Sequence, residues 1–213
     1  MTDKPIIFSA PMIRALWDGR KTQTRRMLKL RGHRTFSEFG PSDTTGYDWH
    51  FRDSEMRWHD YRHADLLRLL PYAPGDRLWV REAWNVPDAY LLPENRETAL
   101  GLMNYRATPW AEPGAWRSPI HMPRWASRLT LVVTDVRVQR VQEITAEDCT
   151  AEGIPFEVDA LAPYEWSVSR FADLWNSIHG PDAWDANPWV AAITFDVKHG
   201  NIDTPTGGTN DRS

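Results

Sequence analysis

Cysteine is nearly absent from this chain, which has one, Cys149, in 213 residues. A single cysteine excludes an internal disulfide and fits a reducing compartment, so we expect a cytoplasmic protein. Apolar runs are short, and none approaches the ~20 residues that a membrane-spanning helix needs. The first residues contain no signal-peptide core, so we expect neither export nor membrane insertion. Cys149 is predicted to be a packed, inert thiol rather than a nucleophile.

Internal repeats and a glycine-rich phosphate-binding loop are also missing. The net charge is −4, but residues 1–40 hold nine Lys and Arg against three Asp and Glu, whereas residues 141–213 hold three against thirteen. A protein that coats a nucleic-acid backbone usually has a basic surface overall. The local positive charge suits a confined anionic or polar ligand, or it pairs with the acidic segment in the fold.

Tryptophan is abundant, with twelve in the chain. Large aromatic side chains are a major source of buried area, so we expect most of them to anchor the core or the loops. A few beside a pocket would be able to stack on a nucleobase.

A short helix is predicted near the N-terminus, after a first strand at residues 5–9. Met12, Ala15 and Leu16 recur at helical spacing. Pro11 suits the first helical turn, and Gly19 suits the left-handed residue that closes a helix. The helix is therefore expected to end just before a strongly basic segment.

That basic segment, residues 18–26, places Lys21 three residues before Thr24. A neutral amine beside a hydroxyl can act as base to a nucleophile, provided that the segment is a turn or irregular. Lysine is a poor base at its ordinary pKa of about 10.4, so burial or repulsion must lower the pKa. The repelling cations would be Arg20, Arg25 and Arg26. The alternative is a solvated basic turn or a phosphate-binding patch.

Residues 27–72 show no regular pattern and are predicted to be an insertion or a long covering loop, with a short helix near residues 61–70. Within them, His59 and His63 are four residues apart, as in a metalloprotease helix. Asp60 stands where the glutamate base would be, and no third ligand has a recognisable spacing. We therefore expect no metal site here.

Residues 77–84 are predicted to form a strand after a Gly-Asp turn. Its alternation places the Glu82 carboxylate among apolar side chains, so Glu82 needs a buried cation or a ligand unless it lies in water at a frayed strand end.

Residues 85–127 are rich in proline and are predicted to form a second insertion. At its end, His121, Arg124 and Trp125 would be able to line a pocket, or belong to a stiff connection.

A long strand at residues 128–141 and a short helix at residues 144–153 follow. Thr145 and Asp148 fit a capping box, and Gly153 fits the end of the helix. Glu152 precedes that glycine, at the unfavourable end of the helix dipole, and pairing with Lys21 would explain its position. Glu147 is the nearby alternative to Glu152.

The C-terminal part is predicted to contain an amphipathic helix at residues 164–178 and a closing strand at residues 190–197. Residues 199–213 are rich in Gly, Thr, Asn and Asp and are expected to form a disordered tail.

The segment Gly-Arg-Lys-Thr-x-Thr-x-Arg at residues 19–26, after a short strand and helix, resembles the signature of the ASCH domain superfamily. The resemblance covers about two-fifths of the chain, at residues 5–26, 73–84, 128–154 and 190–197. It implies an α+β fold, a PUA-like small β-barrel with flanking short helices and two long insertions. The domain would span residues 1–198, with the insertions at residues 27–72 and 85–127.

Within that superfamily the chain most resembles the bacterial N4-acetylcytidine amidohydrolase branch, and its second insertion resembles phage-type ASCH proteins. The resemblance implies that Lys21, Thr24 and Glu152 form the catalytic group of an enzyme that removes the acyl group from an acylated cytosine nucleoside. In one route Thr24 attacks with Lys21 as its base, and Glu152 protonates the departing cytosine amine and later activates water. In the other, Glu152 activates water directly and Lys21 stabilises the oxyanion. Neither route requires a metal or another cofactor.

The remaining expectations concern binding. Substrate-binding residues are predicted at five positions: Arg26, Glu82, His121, Arg124 and Trp125. The expected partner is a small-molecule nucleoside, with weak binding to RNA and none to membranes. PUA-like domains often bind RNA, so an RNA-binding module is the competing prediction, and a metal-independent ribonuclease is the third.

Overall fold

The computed structural model describes residues 2–33, 35–91, 95–109, 111, 114–155 and 163–204. Within these residues the protein is a mixed α+β structure with several sheets and few helices, which confirms the predicted fold class. No closed barrel is found among them. A search of the same residues finds no helix with the length and apolar character needed to cross a membrane.

In chain order the strands are β1 (Asp3–Ile7), β2 (Gln23–Met27), β3 (Phe36–Pro41), β4 (Trp49–Asp53), β5 (Trp58–Tyr61), β6 (Arg77–Arg81), β7 (Trp84–Asn85), β8 (Asn104–Tyr105), β9 (Leu129–Arg140) and β10 (Trp189–His199). The α-helices are α1 (Ala10–Trp17), α2 (His63–Leu69), α3 (Arg96–Leu102), α4 (Ala146–Ala151) and α5 (Pro163–His179). Short 3₁₀ helices occur between them.

The strands form three sheets. The largest has the hydrogen-bonding order β1-β6-β9-β10-β2, and the others are β3-β4-β5 and β7-β8. β1 and β6 are parallel, whereas β6 with β9 and β2 with β10 are antiparallel. In the last pair Thr24 lies opposite Ile193.

Contacts divide the chain into two compact units, each assembled from separate segments. The first unit comprises Met1–Arg20, Asp76–Val132 and Asp196–Ser213. The second unit comprises Lys21–Gly75 and Val133–Phe195. Residues 18–20 of the basic segment thus belong to the first unit, and residues 21–26 begin the second unit, where the candidate active site lies.

Helix α1, in the first unit, forms where the sequence predicts it. Ile13, Ala15 and Leu16 are its buried residues, and proline occupies the first turn. Gly19 has φ +71°, the left-handed conformation that glycine adopts most readily after a helix. The helix end is therefore encoded locally.

The prediction of a covering loop at residues 27–72 is wrong, because the second unit holds the antiparallel sheet β3-β4-β5 there. Phe51 is fully buried on β4, and its ring stacks on Tyr61 and His59 of β5 at centroid distances of 5.6 and 5.0 Å. Aromatic cross-strand pairs of this kind stabilise a sheet whose sequence shows little alternation. The short helix predicted near residues 61–70 is confirmed as α2.

Residues 85–127 of the first unit contain short elements around a small apolar cluster of their own. The cluster comprises Trp84, Val86, Ala99, Met122 and Ala126. The segment therefore has a core and is more than a linker.

The expectation of a disordered tail from residue 199 is wrong for residues 199–204, which pack in the first unit. The Asn201 side-chain amide donates to the backbone carbonyls of Arg124, Trp125 and Ser127. Ile202 is buried. A polar composition signals disorder only when the side chains find no tertiary partners, and here they find them. Residues 205–213 lie outside the described part of the chain.

Candidate active site

Lys21 and Glu152 form a buried ion pair in the second unit, and the predicted pairing is confirmed. Lys21 Nζ donates to Glu152 Oε2 and to the Glu152 backbone carbonyl, both at 2.7 Å. The two residues are 0% and 5% exposed. Their backbones also form an isolated β-bridge, so both main chain and side chain hold the two residues together.

Glu152 is positioned by helix α4, which begins and ends as the sequence predicts. Thr145 Oγ1 accepts a hydrogen bond from the Asp148 backbone N–H at 3.2 Å, in a capping box. Gly153 has φ +90° just after the helix. The Lys21 ammonium binds the Glu152 carbonyl at the negative end of the helix, which also compensates for the carboxylate at that end.

Arg25 completes the site from the neighbouring strand. Its Nη1 donates to Gln23 Oε1 at 2.6 Å and to Glu152 Oε1 at 3.2 Å. Its Nη2 donates to Asp148 Oδ2 at 2.5 Å. Both oxygens of the Glu152 carboxylate are therefore held by cations, Oε2 by Lys21 and Oε1 by Arg25.

Gln23, Arg25 and Asp148 were not predicted as site residues, although spacing offered a signal for each. Gln23 and Arg25 alternate along β2 and so share one face. Asp148 lies four residues before Glu152, which places both carboxylates on one side of α4. Only the packing of β2 beside α4 shows that these two faces meet.

Burial lowers the pKa of Lys21 from the ordinary value, and the charges of Arg26 and Arg25 act in the same direction. Glu152 opposes this shift by favouring the charged ammonium. Arg20, the third expected cation, lies in the first unit and forms an exposed ion pair with Asp18. Burial is therefore the main cause of the lowered pKa.

The pKa of Asp148 is also perturbed. Burial alone would raise it, but the adjacent Arg25 guanidinium outweighs burial and holds the pKa below its usual range. Asp148 is consequently ionised at neutral pH and fixes the orientation of Arg25.

Thr24 lies inside β2, not in the irregular turn that its cooperation with Lys21 requires. Its side chain is buried, and alternation places it on the face opposite Gln23 and Arg25. No hydrogen bond joins Thr24 to Lys21 in the part of the chain that the structure describes. Arg26 shares the Thr24 face, and burial lowers its pKa.

The second unit also contains a cavity of about 480 Å³ at the C-terminal end of β2. Trp189 and Phe39 line it, which makes Trp189 a tryptophan beside a pocket as expected for some of the twelve. Met27, the lining residue on β2, is six residues from Lys21, roughly 20 Å at about 3.3 Å per residue. One nucleoside does not span that distance, so we assign the cavity no part in this site.

Four predicted binding residues lie in the first unit. Glu82 accepts two hydrogen bonds from Arg128, at 2.8 and 3.0 Å, which confirms that this carboxylate needs a buried partner. Burial raises the pKa of Glu82, and Arg128 opposes the shift.

The other three predicted binding residues of the first unit have different surroundings. Arg124 is bound to Asp3 and Asp203, so its guanidinium serves an ion-pair network. Trp125 packs against the apolar cluster around Met122. His121 is exposed at the end of a 3₁₀ helix. Substrate binding by these residues stays a prediction.

Comparison with protein-family models, with curated proteins and with solved structures finds no match for this chain. A function must therefore be argued from the site itself. The arrangement offers a buried carboxylate, an ammonium beside it, and an arginine that holds the carboxylate and is itself held by Asp148.

Proposed function

We propose that the protein is an amidohydrolase that removes an acyl group from the exocyclic N4 of an acylated cytosine nucleoside. The observation that carries the proposal is the buried Lys21–Glu152 pair, with a lysine whose pKa burial lowers. A buried, perturbed acid–base pair is typical of catalytic sites, although structural ion pairs also perturb pKa values. The resemblance of residues 19–26 to ASCH domains supplies the substrate class.

We extend the proposal to the fold: the five-stranded sheet corresponds to the PUA-like barrel of that superfamily. Its support is the chain order, in which β1, α1 and the basic segment are followed by β6, β9, α4 and β10. The sheet β3-β4-β5 and the segment between β7 and β9 would then be the two insertions.

In the proposed reaction Glu152 takes a proton from water, whose oxygen attacks the acyl carbonyl carbon. Lys21 stabilises the negative charge that develops on the carbonyl oxygen. The tetrahedral intermediate then breaks its C–N4 bond, and Glu152 returns the proton to N4. The products are a carboxylic acid and the free cytosine amine, and no metal takes part.

The second route uses the same residues with Thr24 as nucleophile. Neutral Lys21 would take the proton of Thr24 Oγ1, whose oxygen attacks the acyl carbonyl carbon, and the C–N4 bond would break as protonated Glu152 gives its proton to N4. Glu152 would then take a proton from the water that hydrolyses the Thr24 ester, and Lys21 would return its proton to Thr24 Oγ1. The face on which Thr24 lies favours direct activation of water by Glu152, because Arg25 and Gln23 occupy the Glu152 side of β2.

Arg25 is a positioning residue in this proposal. It holds the Glu152 oxygen that Lys21 does not, and Asp148 holds Arg25. A carboxylate fixed at both oxygens keeps one orientation toward water and substrate, which is the form of preorganisation that raises catalytic rates.

The competing RNA-binding function is less well supported, because the basic segment is occupied by internal ion pairs. Arg20 pairs with Asp18, Lys21 with Glu152, and Arg25 with Asp148. Binding through the RNA backbone requires cations that meet phosphates instead. We therefore expect weak, salt-sensitive binding to unmodified RNA.

The test is to incubate purified protein with N4-acetylcytidine and to follow the appearance of cytidine by absorbance. We expect turnover by the wild type, little change between about 50 and 300 mM salt, and none in Glu152→Gln. RNA affinity, measured by fluorescence anisotropy, should fall with salt by about 0.7 log units per phosphate contact for each tenfold rise. Tight RNA binding without nucleoside turnover would reverse the ranking of the two functions.

A further inference from the structure

A histidine–aspartate–histidine cluster lies in the second unit, separate from the contacts of the candidate active site. His33 follows β2, Asp53 ends β4, and His59 is in β5. One donor atom from each residue lies within 4.8 Å of the other two. Three separate segments therefore converge on one point with two imidazole nitrogens and one carboxylate oxygen.

The sheet β3-β4-β5 fixes two of these side chains on one face. His59 lies opposite Phe51 in the register of β4 and β5, and Asp53 is two residues beyond Phe51. Phe51 stacks on the His59 ring, and the His33 ring meets the edge of Phe51 at a centroid distance of 4.7 Å. The fully buried Phe51 ring thus packs against both imidazole rings of the cluster.

We propose that His33, Asp53 and His59 bind a divalent transition-metal ion, with Zn²⁺ the best match. Zinc is held in proteins by imidazole nitrogen and carboxylate oxygen at about 2.0–2.2 Å, and three protein ligands plus water make a common open site. Ligands of a tetrahedral ion at that radius lie about 3.3 Å apart. The donors reach this spacing by small side-chain rotations, since they already lie within 4.8 Å of one another.

Asp53 has other contacts that the ion must share or displace. Its Oδ1 accepts from the backbone N–H groups of Glu55 and Arg57 at 2.8 and 3.0 Å, which holds the carboxylate in place. Its Oδ2 is 2.7 Å from His59 Nε2 and 3.0 Å from Arg57 Nε. Oδ2 would become the ligand, and the exposed Arg57 would turn away while keeping its ion pair with Glu55.

The His33–Asp53–His59 cluster differs from the His59–His63 pair that the sequence spacing suggested. His63 does not join His59, because its Nδ1 accepts a hydrogen bond from Trp49 Nε1 at 3.0 Å. His33 takes its place from 26 residues before His59, a distance that no short motif covers. The expectation of no third ligand rested on sequence spacing alone.

Bound metal would join the connection after β2 to the hairpin of β4 and β5. Because the unfolded chain does not bring these three residues together, the ion would bind the folded state preferentially and stabilise it. The proposal is independent of the amidohydrolase function, which uses other residues.

The test uses untagged full-length protein, stripped with a chelator and titrated with Zn²⁺ by calorimetry and with Co²⁺ by visible absorption. We expect one ion per chain, Co²⁺ d–d bands of a nitrogen- and oxygen-ligated site, and a higher Tm with Zn²⁺. His33→Ala, His59→Ala and Asp53→Asn should each weaken binding by roughly tenfold or more.

The matched control is His50→Ala, since His50 is on β4 but on the face opposite Phe51. It should bind Zn²⁺ like the wild type. Circular dichroism of each metal-free variant separates lost binding from lost folding, and His33→Ala is informative because the His33 ring has only ring contacts among the described residues. A wild type that takes up no Zn²⁺ or Co²⁺, or a control that loses as much affinity as His59→Ala, would overturn the proposal.

Discussion

Two pairs of a strongly buried carboxylate with a cation, one from each unit, differ in the cation. In the second unit Lys21 binds Glu152, and in the first unit Arg128 binds Glu82. Both carboxylates are almost fully buried, at 5% and 2% exposure. Burial of a carboxylate is therefore not the feature that distinguishes a candidate catalytic site from a structural one.

The Arg128–Glu82 pair of the first unit has surroundings typical of a structural ion pair. Its guanidinium donates two hydrogen bonds to Glu82 and lies 4.1 Å from the Tyr105 ring centroid and 4.9 Å from that of Trp17. Arginine remains charged at every accessible pH, and stacking between two rings holds it in place. Such a pair supports packing, and its cation cannot act as a base.

Lys21 has the opposite character. A lysine pKa shifts readily when the ammonium is buried, and burial lowers that of Lys21. The lowered pKa makes neutral Lys21 more accessible than it is for a free lysine, whereas Arg128 stays protonated. Similar burial and charge thus give two different capabilities because one cation titrates.

Replacing Glu152 should produce the largest effect. We expect Glu152→Gln to lower kcat/KM for N4-acetylcytidine a hundredfold to ten-thousandfold, because the variant cannot accept a proton. Lys21→Met should show a loss of the same order. Steady-state absorbance assays measure both variants, with circular dichroism to establish folding.

Glu82→Gln is the matched control for this comparison, since it neutralises a carboxylate that is equally buried. It should keep wild-type kcat/KM. An equal loss in Glu82→Gln and Glu152→Gln would remove the distinction between the two pairs.

Replacing Arg128 should affect stability more than activity. Removal of one partner leaves the Glu82 carboxylate buried without its cation, which typically costs about 3–5 kcal/mol. Arg128 is 24% exposed in its side chain, so solvent reduces the expected loss to about 2 kcal/mol. Urea denaturation of Arg128→Met measures it.

The double variant Arg128→Met with Glu82→Gln removes the uncompensated charge and should recover part of that loss. A double variant less stable than Arg128→Met would show that the pair does not behave as a charge-compensated unit.

Thr24→Ala should lower activity by only about tenfold, less than Glu152→Gln, if Glu152 activates water directly. A loss as large as that of Glu152→Gln would support the threonine ester instead. Mass spectrometry of a rapidly quenched reaction detects that ester on Thr24, and Thr24→Ser provides the control that retains a hydroxyl.

The two pairs should change the free energy of unfolding with pH in opposite directions. Because the folded-state pKa of Lys21 is lowered, the unfolded chain binds its proton more tightly. Stability should therefore rise with pH from that lowered pKa up to the ordinary lysine value of about 10.4. The folded-state pKa of Glu82 is raised, so its contribution should fall as pH rises from its ordinary value, about 4.3, through the raised value.

Urea midpoints measured across pH test both signs. Lys21→Met should remove the alkaline rise, and Glu82→Gln the acidic fall. Persistence of either slope in its own variant would assign it to another group. In the enzyme assay, kcat/KM should rise with pH through a group titrating below free lysine if neutral Lys21 is the base.

The smallest effect concerns Cys149, which is the buried residue of α4. Burial raises the pKa of this thiol to about 12, so we expect no thiolate near neutral pH. Labelling with a thiol reagent should be slow in the folded protein and fast in urea, and Cys149→Ala should keep full activity. Rapid labelling of the native protein would contradict the packed, inert role.

Local signals in the sequence determine several parts of this protein. Pro11 and Gly19 set the bounds of α1, and Thr145, Asp148 and Gly153 set those of α4. These are reliable because capping and left-handed backbone conformations depend on neighbouring residues alone. The position of Glu152 at a helix end follows from such signals.

Only the tertiary structure decides which of these elements meet. It pairs Arg25 with Asp148 across 123 residues and Glu82 with Arg128 across 46, and it builds a sheet where the sequence suggested a loop. It also brings His33 to Asp53 and His59. A sequence pattern records the face on which a side chain lies, whereas the partner of that face depends on long-range packing that no local propensity encodes.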